Sequence, residues 1–165
     1  MPNNILLPRI NEIGAGSIDR AADVLAALGV SRPLIVTDAM MGKLGYVDRL
    51  SQRLHHAGIA FGVFDETVPE PTEVSIKAGV AAMQAGTDDG QPYDSLIALG
   101  GGSPIDSAKA IGVLGHFGGE IRDYKFPNQA SEVGLPVIAI PTTAGTGSEA
   151  TRFTIITDDA VDEKM

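Results

Sequence analysis

Three consecutive glycines, Gly100-Gly101-Gly102, end an apolar run and lead at once into Ser103-Pro104-Ile105-Asp106 and the helix-forming stretch Ser107-Ala108-Lys109-Ala110. Glycine lets a ligand approach the main chain with no Cβ in the way. A helix start adds unpaired N–H groups at the positive end of its dipole, so a strand-to-helix turn of this kind is an anion site. Ser103 is placed to be the helix N-cap, Pro104 to fill the first helical position, and Asp106, three residues after the cap, to bond back to the cap's own N–H. That makes Asp106 an organiser of the loop, since a carboxylate in contact with a phosphate would repel it. A turn that needs glycine only for packing has the same composition. The spacing also departs from G-x-G-x-x-G, with Ile105 where the third glycine would stand.

A second turn, Ile140-Pro141-Thr142-Thr143-Ala144-Gly145-Thr146-Gly147-Ser148-Glu149, again follows an apolar run. The hydroxyls of Thr142, Thr143, Thr146 and Ser148 can donate to or accept from a nucleotide without adding charge. By itself it reads equally as a surface loop. Asp38 ends another apolar run, where a carboxylate at the sheet edge suits the hydroxyls of an adenosine ribose, although a lone Asp there also suits a helix cap. Two such turns, each after a buried strand at the same edge of one sheet, point to a phosphate or nucleotide site, because ligands of open parallel sheets bind outside the carboxyl ends of the strands; Asp38 alone reads first as a helix cap.

The elements that must position these turns are short β-branched runs at 33–37, 59–64, 95–99 and 136–140. Their continuous hydrophobicity suits strands buried on both faces. Between them, Ser17 is expected to cap a helix through Ile18, Ala21, Ala22, Leu25 and Leu28 that stops at Gly29, and Thr72 to open one through Val74, Ile76 and Val80. Strand alternating with helix predicts an α/β fold with a doubly wound, mostly parallel sheet. Phe153-Thr154-Ile155-Ile156-Thr157 reads as a last strand, followed by the acidic turn Asp158-Asp159 and an ending at Asp162-Glu163-Lys164-Met165 with no closing element. The whole of 1–165 reads as one dinucleotide-binding domain.

Composition narrows the field. The net charge of -9 and an aromatic content of 5% with no Trp argue against nucleic acid, which needs a basic surface and stacking platforms. The absence of Cys removes disulfides, thiolate nucleophiles and Cys-based zinc sites, and suits a reducing, cytoplasmic setting. The apolar run Ile5-Leu6-Leu7 stops at Pro8, far short of a signal or membrane segment. Of the histidines, His55 and His56 are adjacent on a helix and His116 is remote in sequence, so no i, i+4 ligand pair can be drawn. Neither a hydrolytic triad nor a cofactor role for Met40-Met41 stands out.

Together, the segments Gly100 to Lys109 and Pro141 to Thr151 resemble the paired signatures of the iron-dependent, group III alcohol dehydrogenases. Gly14-Ala15-Gly16-Ser17, Thr37-Asp38 and Phe64-Asp65 leading to Pro69-Glu70-Pro71-Thr72 extend the resemblance over the whole chain. It implies a Rossmann-like domain that binds NAD, with Gly101, Gly102, Ser103 and Asp106 at the pyrophosphate. Thr142, Thr143 and Thr146 would lie along the adenine and ribose side, with Ser148 in the same turn. Asp38 would hold the adenosine ribose and favour NAD over NADP, and Lys164 would reach ribose hydroxyls. Glu70 falls at a position near the nicotinamide that is often Asn in relatives. The resemblance further implies a homo-oligomeric enzyme interconverting a small alcohol with an aldehyde or ketone, whose Fe(II) or Zn(II) is held by an all-helical domain that these residues do not include. On that reading the 165 residues alone bind NAD and do not oxidise alcohols. A non-catalytic dinucleotide-binding module, or a glycerol dehydrogenase or dehydroquinate synthase relative, is the competing reading.

Overall fold

Strands β1 (Pro33–Thr37) and β3 (Ser95–Gly100) are buried at every position, which is why neither shows an alternating pattern. In the computed structural model, which describes residues 7–128, 132–159 and 163–164, they lie at the middle of a parallel sheet. β2 (Gly62–Phe64) and β4 (Val137–Pro141) flank them in the order β2-β1-β3-β4. The register pairs Ile35 with Val63 and Ile97, and Ile97 in turn with Ile138.

Alternate residues of each strand feed different layers. Leu34, Val36, Leu96 and Ala98 pack with Ile76 and Met83 of α4 (Glu73–Ala85) and Ile105, Ala108 and Ile111 of α5 (Gly102–Phe117). Ile35, Ile97 and Leu99 pack with Ala21 and Leu25 of α1 (Ala21–Leu28), Met41 of α2 (Ala39–Lys43), and Leu50 and Leu54 of α3 (Tyr46–His56). Each fully buried Leu or Ile contributes roughly 2 kcal/mol, so the two-sided sheet outweighs any single cap in fixing the fold. The expected doubly wound, mostly parallel α/β architecture is present.

Helix starts follow local chemistry in one case and not in another. Thr72 caps α4 as expected: its hydroxyl accepts from Ser75 N, while Ser75 Oγ accepts from Thr72 N. Ser17 does not cap. Gly16 sits at φ 87 and begins a 3-10 turn (Ser17–Arg20), and the Ser17 hydroxyl donates instead to Gly14 O at 2.6 Å. Gly29 supplies the left-handed end of α1 at φ 74. Of Met40-Met41, only Met41 packs inward, leaving Met40 56% exposed.

Two strand expectations are corrected. β2 starts at Gly62, not Ile59, because the chain leaves α3 through a turn at Gly58 (φ 68), and Ile59 N is still bonded to Leu54 O. The run 153–157 is not a strand except at its last residue. β5 (Thr157–Asp158) pairs antiparallel with β6 (Glu163–Lys164), so the chain does turn back on itself there. Residues 1–6, including Ile5 and Leu6, lie outside the described residues, as do Asp162 and Met165.

Candidate functional site

Strand order locates the crevice before any side chain is considered. After β1 the chain leaves toward β2, whereas after β3 it leaves toward β4 on the other side. The carboxyl ends of β1 and β3 therefore frame a topological switch point, the place where such sheets bind ligands. Hydroxyls fasten this edge: Thr37 Oγ1 donates to Leu99 O at 2.7 Å, and Thr67 Oγ1 donates to Thr37 O at 2.7 Å. Thr67 did not stand out in the sequence, and Thr37 did so only as the neighbour of Asp38. Both are buried, and only the fold shows what they bridge.

Asp38, at the end of β1, has both of the roles its sequence position allowed. Its Oδ1 accepts from Met40 N (2.8 Å) and Met41 N (3.0 Å) and so caps α2. Its Oδ2 faces Gly100, where an added Cβ would lie 3.4 Å away. One carboxylate oxygen is structural and the other borders the crevice.

The glycine turn is tighter than its sequence suggested. Gly100 has φ 148, and a Cβ there would meet Pro104 Cγ at 2.6 Å, so both conformation and space demand glycine. The N-cap of α5 is Gly101, not Ser103, with φ -78 and ψ -161 and no capping side chain. Pro104 is consequently the third helical residue, a position whose missing N–H costs nothing because the first turn has no internal acceptors. Asp106 does not bond back to Ser103 either. Its Oδ2 accepts from Ile155 N at 3.3 Å, and its Oδ1 lies 3.7 Å from Lys109 Nζ. The physical reason is that a glycine cap has no side chain to offer, and Asp106 faces the segment leaving the second turn. The N–H groups of Gly102 and Ser103 are thereby left at the head of a 16-residue helix without a capping partner, the arrangement that receives an anion.

The threonine turn lies over the glycine turn. Thr142 N donates to Gly100 O at 2.9 Å. A Cβ on Gly101 would meet Thr143 Oγ1 at 3.1 Å, and one on Gly102 would meet Thr146 Cγ2 at 3.2 Å and Ser148 Oγ at 3.4 Å. Thr143, Thr146 and Ser148 thus border the uncapped helix end. Thr142 borders something else, a cavity of about 950 Å³ between residues 8–18 and β4, lined by Ile13, Val24, Leu28, Ile138 and Ile140. Gly101, Gly102 and Ser103 do not line that cavity. Its walls are mainly apolar, whereas the crevice above α5 has the donors.

Glu70 and Lys164, far apart in sequence, meet across 3.5 Å as an exposed ion pair. Glu70 has φ 54, the left-handed region in which Asn is much commoner than Glu. Thr157 holds the two segments together: its N donates to Pro71 O at 2.8 Å, and the residue itself pairs with Lys164. The loop carrying Glu70 is at the same carboxyl edge, since Thr67 N donates to Thr37 O at 3.3 Å.

Lys109 is the site residue that the sequence reading passed over. Its side chain is 17% exposed, and its Nζ donates to Phe153 O at 2.8 Å and to Thr151 Oγ1 at 3.4 Å. Burial lowers its pKa below the ordinary lysine value, with Asp106 and Glu149 pulling the other way. Its position three residues after Asp106, on the same helical face, was the available signal.

The described residues do not assemble a metal site. His55 stacks edge-on against Phe61 and His116 against Phe117, and among the described residues no group of three or more His, Cys, Asp or Glu could hold an ion. The donor set suits a dinucleotide better: Gly101 and Gly102 present main chain without a Cβ close beneath Thr143, Thr146 and Ser148, an uncapped helix end lies beside them, and the Asp38 carboxylate stands at the neighbouring strand.

The sequence and the architecture both match known proteins. Residues 8–165 match the family described as iron-containing alcohol dehydrogenase. The NAD-dependent methanol dehydrogenase of Bacillus methanolicus is 36% identical over 162 residues, which are 98% of this chain and 41% of that protein. The crystal structure of a 1,3-propanediol oxidoreductase superposes with a TM-score of 0.89 at 31% identity, covering 98% of this chain and 41% of the other. Sulfoacetaldehyde reductase from Bifidobacterium kashiwanohense, solved in complex with NAD+, gives 0.85 at 28% identity over 99% of this chain and 42% of that one. The chain thus spans about two fifths of the length of these relatives. With the family matched along nearly all of its residues, and the same fold built from them, the chain belongs to the iron-containing alcohol dehydrogenases.

Proposed function

We propose that these residues are the NAD-binding half of an oxidoreductase that interconverts small alcohols with aldehydes or ketones. The observation that carries the reading is the interlock at the switch point, where the uncapped N-terminus of α5 lies under Thr143, Thr146 and Ser148 and beside Asp38. The N–H groups of Gly102 and Ser103 receive the pyrophosphate, with Gly101 clearing its path. Asp38 Oδ2 accepts from the adenosine ribose, the three hydroxyls line the adenine and ribose side, and Lys164 reaches ribose hydroxyls. Glu70 stands beside Lys164 on the nicotinamide side. NAD, when bound, supplies the carbon that accepts hydride. The residues of this chain bind and orient it, and exclude water from one wall of the cleft. Asp106 belongs with the loop supports and not with the phosphate contacts. Fe(II) or Zn(II), where the reaction uses it, is held by residues other than these 165.

Relatives named for methanol, propanediol and sulfoacetaldehyde support a small polar alcohol or aldehyde as substrate. The lack of Cys supports a cytoplasmic setting. The outer edge of β4 and the 94% exposed side chain of Ile13 support assembly into a homo-oligomer. No described helix is long and apolar enough to cross a membrane.

Calorimetric titration with NAD and NADP tests the reading. NAD is expected to bind at least about tenfold more tightly, because a 2'-phosphate beside Asp38 would set like charges together and lose the ribose hydrogen bonds. Asp38→Gly should narrow or reverse that ratio while costing α2 only a few tenths of a kcal/mol as a cap. Tighter NADP binding to the unaltered protein would overturn the assignment of Asp38.

A further inference from the structure

Residues 152–156 join the threonine turn to the hairpin that carries Lys164. They run without regular secondary structure, and among the described residues no main-chain hydrogen bond ties them to another main-chain group. A stretch of that kind would drift unless side chains held it. Two residues one turn apart on α5 supply the grip. Lys109 Nζ donates to Phe153 O at 2.8 Å and Thr151 Oγ1 at 3.4 Å. Asp106 Oδ2 accepts from Ile155 N at 3.3 Å, and Asp106 O accepts from Thr154 Oγ1 at 2.8 Å. The two side chains face each other at 3.7 Å, so each keeps the other from standing as an uncompensated buried charge.

We infer that Lys109 is a positioning residue for the cofactor: paired with Asp106, it clasps 151–155 to α5 and thereby sets where the threonine turn and the Lys164 hairpin stand around the dinucleotide. This rests on the NAD reading above. The clasp acts in two directions along the chain. Toward the amino side, Thr151 N and Ala150 N donate to Gly147 O, which transmits the anchor at Phe153 to the turn whose Thr146 and Ser148 border Gly102. Toward the carboxyl side, Ile156 is 1% exposed and Thr157 pairs with Lys164. The same grip therefore governs groups at both ends of the proposed ligand, although Lys109 itself touches neither turn.

The test combines amide hydrogen exchange with NAD titration on Lys109→Met, which keeps the stem and removes the charge, and Lys109→Arg, which restores a cation. In Lys109→Met, exchange across 143–157 should accelerate while β1 and β3 stay protected, and NAD affinity should fall by about tenfold, the scale of one charge-assisted hydrogen bond. Lys109→Arg should recover most of both. Thr154→Val, which removes only the hydroxyl bond to Asp106 O, provides a milder version should Lys109→Met fail to fold, with an intermediate effect expected. Unchanged exchange in 143–157 would overturn the clasp. Accelerated exchange with unchanged NAD affinity would overturn its role in positioning cofactor. A wild-type chain with no measurable NAD affinity would remove the cofactor reading itself and leave the exchange comparison to decide the clasp.

Discussion

The two turns that form the site are held in place by different means. The glycine turn follows β3, buried at every position and paired on both sides, and opens directly into α5, so sheet and helix together fix it. The threonine turn follows β4, an outer strand whose residues are only half-buried or exposed, and it exits into a segment that pairs with no strand among the described residues. One turn is set by backbone pairing on both sides, and the other by pairing on one side together with side chains reaching from the first turn's helix. A dinucleotide laid between them would thus meet a rigid floor and an adjustable cover, and cooperative local opening should be confined to the cover.

The largest expected effect attacks the floor. Gly102→Val places a branched side chain where even a Cβ already lies 3.2 Å from Thr146 and 3.4 Å from Ser148. It fills the cradle and wedges the turns apart. NAD affinity should drop by more than about a hundredfold, some 2.7 kcal/mol, while far-ultraviolet circular dichroism stays near wild type, because α5 tolerates Val at its first position. Unchanged affinity in a folded variant would place the phosphates elsewhere.

Gly100→Ala attacks the same floor through the fold. At φ 148, with Pro104 Cγ 2.6 Å from the new Cβ, strain and overlap together should destabilise the protein by about 2 to 3 kcal/mol. Urea unfolding reads this as a lower midpoint at constant slope. A midpoint within error of wild type would mean that the turn is adjustable after all, and the contrast between floor and cover would disappear.

The same contrast explains what could be read from residues alone. The strands 33–37 and 95–99 were legible because two-sided burial leaves continuous apolar runs, 136–140 was legible from a similar apolar run although β4 is only half-buried, and both turns were legible because glycine and hydroxyl clusters directly follow their strands. Ser103 was misread as the cap because Ser at such a position usually caps, whereas here the glycine backbone begins the helix one step earlier. Phe153 to Ile156 has strand composition, but its partners are Lys109 and Asp106 on a helix, a choice no local pattern encodes. Glu70 and Lys164 were each named from resemblance to relatives. Their meeting depends on the β5–β6 hairpin docking on Pro71, which is a tertiary fact.

The smallest expected effect probes the cover at Glu70, where two opposing terms can be separated. The left-handed backbone at φ 54 disfavours Glu by about 1 kcal/mol and disfavours Asn considerably less. The ion pair to Lys164 works the other way, but with side chains 72% and 61% exposed it is worth only about 0 to 0.5 kcal/mol. Glu70→Gln removes the charge and keeps the strain, so stability should fall by no more than about 0.5 kcal/mol, and less at high salt. Glu70→Asn removes both, and should exceed Glu70→Gln by roughly 0.5 to 1 kcal/mol in paired urea titrations. The comparison between the two variants is the sharper quantity, because the lost ion pair cancels from it. If Glu70→Asn is no more stable than Glu70→Gln, the backbone at this position stores no strain, and the unusual φ of Glu70 ceases to mark the nicotinamide side of the site.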